Sequence, residues 1–288
     1  MDSATVKESR RVLRRIQDHL YLAHSSLGVQ RESVGLVDVM HHPTSTLASL
    51  NYVTPRRSTA WVSSEMIEQG LAHMRQIERT PRVHYIEGLF PPPFAKNLLD
   101  LGLRVEWELP LMAYLPGGFN GQMPPPLKDD ALPPEFSIVQ DSGQIWSEVG
   151  HSTAYKVATL GVEPLVVGQN SSQQGQQIDL LMKRSGSPVG VVRLSIQEET
   201  AHLLALAMHK EISTPKLITA LMTAAVRAAV TQGCTLIYAP GETESDRQIA
   251  RAIGFMDFGG IVCYAANTYT TDEVHDDRIL GQPVLALR

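Results

Sequence analysis

The spacing of apolar residues along the chain predicts amphipathic helices alternating with short strands. Over residues 3–23, Val6, Leu13, Ile16 and Leu20 recur on one helical face. Arg10, Arg11, Arg14 and Arg15 lie mostly off it and read as a solvated stripe rather than an RNA-binding surface. Residues 34–39 and 47–53 have strand character, with the turn residues His42 and Pro43 between them. A second amphipathic helix over 59–78 groups Ile67, Leu71, Met74 and Ile77. Residues 83–87 read as a strand, Pro91 to Pro93 precede a short helix over 94–101, and Gly102 marks its end before a long strand over 103–115.

A dense run of turn formers follows, from Leu115-Pro116-Gly117-Gly118 through Pro124-Pro125-Pro126 to Pro133-Pro134. It cannot continue a helix or a central strand, so it predicts a linker or crossover. Beyond it, residues 144–160 read as a helix, and 177–183 and 189–196 as a strand pair turning at Ser185-Gly186-Ser187. A strand over 200–208 feeds a long helix over 215–232 that stops at Gly233. A strand over 235–239, a helix over 244–253 stopping at Gly254 and a strand over 260–265 complete the pattern. Such alternation around a mixed sheet defines an α/β (α+β) fold class.

The 288 residues are about twice the length of one compact domain. With the central break, this favours two domains: residues 1–118 and 135–288, joined by a linker over 119–134. Hydrophobic residues make up 43% and charged residues 19%, enough to build a core and too little charge for a disordered chain. A net charge of −5 disfavours non-specific binding to nucleic acid or anionic lipid. Cys234 and Cys263 make neither a disulfide framework nor a structural zinc site, and no leader or membrane-spanning run is visible. The expectation is a soluble, cytoplasmic protein. His41 and His42, adjacent on extended chain, point to opposite faces, so no metal centre is expected. The chain also lacks a Gly-x-Ser-x-Gly elbow, a Gly-Lys-Ser/Thr phosphate loop and a Gly-x-Gly-x-x-Gly turn, the usual signatures of hydrolases, kinases and dinucleotide enzymes.

Ser213-Thr214-Pro215 is a strong helix start, with Thr214 as N-cap and Pro215 at the first helical position. A strand delivering the chain to a helix N-terminus makes an anion site from free N–H groups and the helix dipole. Here Pro215 supplies no N–H, and Lys216 and Ile218 stand where close approach of a phosphate favours glycine. Lys216 can offer a point charge instead.

From about Pro188 to Ala265 the chain resembles the core of the GNAT acyltransferase superfamily. Residues 201–208 resemble its central strand, Lys216-Leu217-Ile218-Thr219-Ala220-Leu221 the start of the following helix, Gly233 to Tyr238 the next strand, and Ile253-Gly254-Phe255 the closing Gly-Phe. The first half is similar to the amino-terminal domain of tandem members, through Leu50-Asn51-Tyr52-Val53, residues 81–87 and Pro110-Leu111-Met112. The resemblance implies two GNAT-like domains, each a mixed twisted sheet flanked by helices. It implies acetyl-CoA or another acyl-CoA as substrate, held by Leu206, Ala207 and Met208 on the central strand and by Ser213, Thr214, Lys216, Leu217 and Ile218 at the loop and helix start. It also implies direct attack on the thioester by a small-molecule or peptide amine, with no metal and with homo-oligomerisation left open.

The family's loop pattern is Gln/Arg-x-x-Gly-x-Gly/Ala, and this chain departs from it at Ser213, Lys216 and Ile218. Ala250 stands where many members carry a tyrosine general acid. His202, near the start of the central strand, is the candidate base, Tyr264 a substitute proton donor, and Glu87 a contact for the amine. His209 and Glu211, beside the loop, are further polar candidates. The leading expectation is an acyl-CoA-dependent N-acyltransferase. The alternative is a non-catalytic GNAT-fold binding or regulatory protein that has lost the pyrophosphate loop. A third reading, resemblance to Fem-type aminoacyltransferases with aminoacyl-tRNA as donor, is opposed by the acidic charge.

Overall fold

The computed structural model describes residues 3–57, 59, 61–127, 132–141, 146, 149, 154–159 and 176–266. Helix α1 (Ser3–Ser26) leads into strands β1 (Gln30–Val34), β2 (Val37–His41) and β3 (Tyr52–Pro55). Helix α2 (Ser64–Gln76), β4 (Arg82–Ile86), α3 (Pro93–Asp100) and β5 (Leu103–Tyr114) follow. After the proline-rich stretch come β6 (Phe136–Asp141), β7 (Tyr155–Thr159), β8 (Gln176–Arg184), β9 (Ser187–Gln197) and β10 (Thr200–His209). Helix α4 (Pro215–Thr231), β11 (Leu236–Pro240), α5 (Glu244–Ile253) and β12 (Met256–Ala266) close the described chain.

The twelve strands among the described residues belong to one mixed sheet, in the order β1-β2-β3-β4-β12-β5-β11-β10-β9-β8-β6, with β7 on β10. The order has an internal symmetry. In each half two parallel strands are joined by a crossover helix, β3-α2-β4 in the first and β10-α4-β11 in the second. Each half then sends its last strand to the centre and exchanges it. β12 inserts between β4 and β5, and β5 inserts between β12 and β11. The β5–β12 ladder runs from Met256 opposite Ala113 to Ala266 opposite Leu103. Helix α1 crosses one face of this sheet, where Ala23 meets Met40, Tyr52 and Leu204. Helices α2, α4 and α5 cover the other face: Gly70 of α2 backs onto Val37 and Val53, while Leu221, Ala225 and Ile249 join Ile237 and Ala201.

Both parallel pairs diverge. β3 and β4 share only the Val53–Val83 pair, and β10 and β11 pair only at Thr200, Ala201 and His202 before they part. β10 carries a bulge between Leu203 and Ala205 at this point.

The helix ends follow from local chemistry. The Thr214 side chain accepts the Leu217 N–H at the start of α4, with Pro215 in the first turn. Thr243 and Asp246 form a reciprocal capping box on α5, and Gly254 ends that helix at φ +110°. A side chain at Gly254 would meet Pro125 at 2.8 Å, so the proline-rich stretch packs on the end of α5.

Four expectations are corrected. Residues 34–39 are not one strand: the chain turns at Gly35-Leu36, with Gly35 at φ +57°, and β1 pairs with β2. Residues 47–51 begin with the 3-10 turn Ala48–Leu50 instead of a strand, because the Asn51 side chain donates to the Ser45 and Leu47 carbonyls and accepts the His42 N–H. Of the helix expected over 144–160, residues 155–159 form β7 and the described positions 146 and 149 are helical; the remainder lies outside the described residues. The arginines of α1 are only partly a solvated stripe. Arg15 donates to the Glu199 carbonyl and to the hydroxyls of Thr200 and Thr235, which pins the helix to the second half.

A buried ion pair locks β8 to β9. Arg193 donates to both oxygens of Asp179 at 2.7 and 2.8 Å, and Trp146 donates to the same carboxylate at 2.9 Å. Asp179→Ala leaves a buried guanidinium without its counter-charge and should cost about 3–5 kcal/mol in urea unfolding. The exchanged strands generate a second expectation. A chain cleaved within residues 119–134 should run as one particle in native size-exclusion chromatography and separate only in denaturant. Two fragments that part under native conditions would contradict the sheet order.

Candidate functional site

Two cavities flank the point where β10 and β11 diverge, one on each face of the sheet. The first is a cleft on the face of α4 and α5. Leu203, Leu206 and Met208 from β10 form one wall and Ala239 and Pro240 from β11 the other. Ile218 and Met222 of α4 and Ala250 of α5 close it. At its mouth the helix start has little to offer an anion. Pro215 has no N–H, the Leu217 amide is held by the Thr214 hydroxyl, and the Ile218 amide by the Thr214 carbonyl. Ser213 lines the cleft, and Ala250 places no hydroxyl there. The edge of β10 freed by the divergence is taken up by β7, which pairs antiparallel from Ala205–Thr159 to His209–Tyr155. Since β9 holds the opposite edge over the same residues, β7 sits in the opening of the V.

The second cavity is a chamber of about 60 Å³ beneath α1. Each half contributes a stacked tyrosine–histidine pair at the root of its diverging strands. Tyr52 of β3 stacks on His84 of β4 at 4.2 Å and 10°. His202 of β10 stacks on Tyr238 of β11 at 4.3 Å and 9°. Helix α1 supplies a partner to each tyrosine: the rings of His24 and Tyr52 are joined by a 2.8 Å Nδ1–hydroxyl hydrogen bond. The Tyr238 hydroxyl lies 2.9 Å from Nδ1 of His19, whose Nε2 lies 3.2 Å from the Ser195 carbonyl. A carbonyl can only accept, so Nε2 carries the His19 proton and Tyr238 donates to Nδ1. Trp107 meets His84 edge-on, and Leu109, Leu111 and Ile261 complete the wall.

Burial sets the charge of this cluster. Desolvation lowers His19 and His24 to about 4 and holds His84 and His202 well below the ordinary imidazole value. For His24, His84 and His202 neighbouring charge adds to the same direction, from His19, from His24 with Arg82, and from His19 with His24 respectively. Desolvation also raises Tyr52 and Tyr238 well above the usual phenol range. All are therefore neutral near pH 7. Four ring nitrogens have no partner among the described residues: Nε2 of His24, Nε2 of His84, and both nitrogens of His202.

The candidate residues divide between these places. His202 lies in the chamber and Leu206, Met208, Ser213 and Ile218 line the cleft. Ala207 alternates away from the cleft and packs with Trp146, Val149 and Val191. Thr214 and Leu217 serve the helix cap, and Lys216 is exposed beside it. Tyr264 and Glu87 belong to neither cavity. Tyr264 is buried against Tyr85, and Glu87 donates its N–H to the Gly260 carbonyl at the end of β4. Desolvation raises the Glu87 carboxyl, with Glu108 adding to it. His202, Tyr264 and Glu87 thus do not form one cluster. His41 and His42 have structural partners: His41 with Glu32, and His42 through Nδ1 with the amides of Thr44 and Ser45. Among the described residues no group of three or more His, Cys, Asp or Glu side chains is placed to hold a metal ion. Sequence reasoning missed His19, His24, Tyr52, His84 and Tyr238. His19 and His24 sit five apart on a helix otherwise read by its leucines, and only the strand order brings them to the two tyrosines.

Residues 159–256 match the model of the acetyltransferase (GNAT) family. A GCN5-related N-acetyltransferase from Kribbella flavida superposes with a TM-score of 0.67 at 15% identity, over 90% of this chain and 96% of that one. A tandem GNAT protein from the clavulanic acid biosynthesis pathway gives 0.55 at 12% identity, over 94% and 97%. A GCN5-related N-acetyltransferase from Sphaerobacter thermophilus gives 0.55 at 11% identity, over 81% of each chain. No curated protein sequence matches. The chain carries a GNAT domain over 159–256, and its fold is that of the GNAT N-acetyltransferases. No helix among the described residues is long and apolar enough to cross a membrane.

The neutral histidines make stability depend on pH. Below the ordinary imidazole value of about 6.5 the unfolded chain binds protons that the folded chamber refuses. The stability they contribute is complete above about pH 6.5 and falls as pH drops towards 4, by about 1.4 kcal/mol per pH unit for each imidazole. The urea midpoint should fall steeply over that window, and His202→Phe should reduce the slope. A midpoint independent of pH between 4 and 6.5 would count against the neutral cluster.

Proposed function

We propose that the protein is an acyl-CoA-dependent N-acyltransferase of the cytoplasm, built from GNAT-like halves over 1–118 and 135–288 with a linker over 119–134. One observation carries the reading: the cleft and the chamber lie on opposite faces of the sheet and both are lined by Pro240, where β10 and β11 part. A thioester entering along the cleft from Leu206 and Met208 presents its carbonyl at the bulge after Leu203. An amine in the chamber then reaches that carbon from the other face. The amine nitrogen bonds to the carbonyl carbon, the carbon–sulfur bond breaks, and the thiolate leaves. His202, immediately before Leu203, is the group placed to take the amine proton, and its desolvated ring is a weak base suited to a strongly acidic N–H. The apolar cleft fits the pantetheine and acyl portions. Lys216, rather than loop amides, is the group available to the pyrophosphate.

The pairing of β7 with β10 favours the second reading, a GNAT-fold protein without catalysis, because the strand edge beside the cleft is already used. One experiment separates the two. Acetyl-CoA should raise the melting temperature by a few degrees at a large excess over its Kd. It should also release free thiol with at least one amine from a broad panel. Ile218→Trp, which fills the cleft, should abolish both responses. Val157→Pro, which disrupts β7, should tighten acetyl-CoA binding. Binding without thiol release supports the second reading, and absence of binding even in the Val157→Pro variant rejects the first.

A further inference from the structure

The chamber has two properties that do not suit an ordinary core. It leaves four imidazole nitrogens of His24, His84 and His202 without partners among the described residues, although each of these three is at least nine-tenths buried. Unpaired buried polar atoms destabilise a fold, and phenylalanine would fill the same stacked positions without that cost. Among the described residues that line it, the chamber also has no charged side chain. Its polar groups are imidazoles, phenols and the neutral side chains of Gln17, Ser49 and Thr54, set among Trp107, Leu109 and Leu111. A protonated amine entering it would lose its water and find no carboxylate, which is strongly unfavourable. A planar molecule would instead continue the stacking already present in the Tyr52–His84 and His202–Tyr238 pairs.

We infer that the chamber binds a small uncharged planar molecule, such as an arylamine or aryl amide, whose hydrogen-bonding groups pair with the free nitrogens of His24, His84 and His202. Neutral imidazoles suit this ligand because a free ring nitrogen donates or accepts according to its tautomer, and His202 with both nitrogens free presents one of each, so an amino group and a carbonyl can both be matched. As the class of acyl acceptor, this rests on the acyltransferase reading. As a binding site, it does not. An arylamine has a further chemical merit, since it is uncharged at neutral pH and needs no proton removed before it attacks. The volume of about 60 Å³ admits about four waters or a single small ring, and it disfavours a peptide.

The test uses the full chain without acyl-CoA. With histidine labelled at 13Cε1, 4-aminobenzamide is titrated and followed by NMR, alongside spermidine as the cationic probe. Saturable shifts at His24, His84 and His202 with 4-aminobenzamide and none with spermidine are expected. His84→Phe should weaken 4-aminobenzamide about tenfold while leaving the melting temperature equal or higher. Leu109→Trp, which fills the chamber, should abolish the shifts. Stronger binding of spermidine, no saturable shift with 4-aminobenzamide, or shifts that persist in a folded Leu109→Trp variant would each overturn the inference. The second would mean that the nitrogens serve buried water only, and the third that 4-aminobenzamide binds outside the chamber. Binding of 4-aminobenzamide without acyl transfer would leave this inference standing and remove the enzymatic one. Transfer confined to cationic amines would leave the enzymatic reading standing and remove the uncharged planar molecule as its acyl acceptor.

Discussion

The structure depends on the exchange of β5 and β12 at the centre of the sheet. Each half has two parallel strands that diverge, and a diverging pair is a weak edge unless another strand continues the ladder. Each half lends its last strand to the other. The result is a sheet with no seam at its middle, in which the first half's β4 is held by a strand that follows the second half's α5. Contacts of such long sequence separation make folding slow but make the halves inseparable once formed. They also bring the two diverging pairs near one another, so that a single helix, α1, reaches both tyrosines five residues apart.

That geometry explains what could be read from the sequence. Local chemistry announced α4 and α5, where Thr214-Pro215, Thr243 and Gly254 act within one helical turn and owe nothing to distant chain. Alternation and a glycine turn announced β8 and β9 in the same way. The first hairpin was harder, because Val34 and Val37 are both apolar and only the positive φ at Gly35 separates them. β7 was misread since its pattern does not decide its conformation; pairing with the free edge of β10 does. The place of β12 was out of reach altogether. Its apolar content fits any central strand, and nothing local says that it enters the other half. The cleft was legible through the family resemblance, whereas the chamber, assembled by exchange, was not.

The two cavities differ in how their chemistry is set. In the cleft the backbone decides: a proline and a satisfied N-cap withdraw the amides that an anion would use, so on the proposed reading Lys216 and apolar contact along β10 take their place. In the chamber the dielectric decides. Four histidines within reach of one another would repel strongly if charged, and burial removes that conflict by keeping them neutral. The same burial makes His202 a poor base for an alkylammonium ion, whose proton is held far more tightly than an imidazole of lowered pKa can take. A base of this kind suits the acidic N–H of an arylamine after attack on a carbonyl.

Neutrality, lack of countercharge and stacked walls therefore select in the same direction. An alkyl amine would have to lose a proton before entering, find no carboxylate to orient it, and then pass its last proton to a weak acceptor. An aryl amine meets none of these obstacles, and if it is the acceptor, its reduced nucleophilicity is the one disadvantage that positioning beside the β10 bulge would have to offset. If the chamber served only to join the halves, phenylalanine at His84 and His202 would do so without three of the unpaired nitrogens. The imidazoles at both stacked positions, one from each half, match the hydrogen-bonding planar ligand inferred for the chamber.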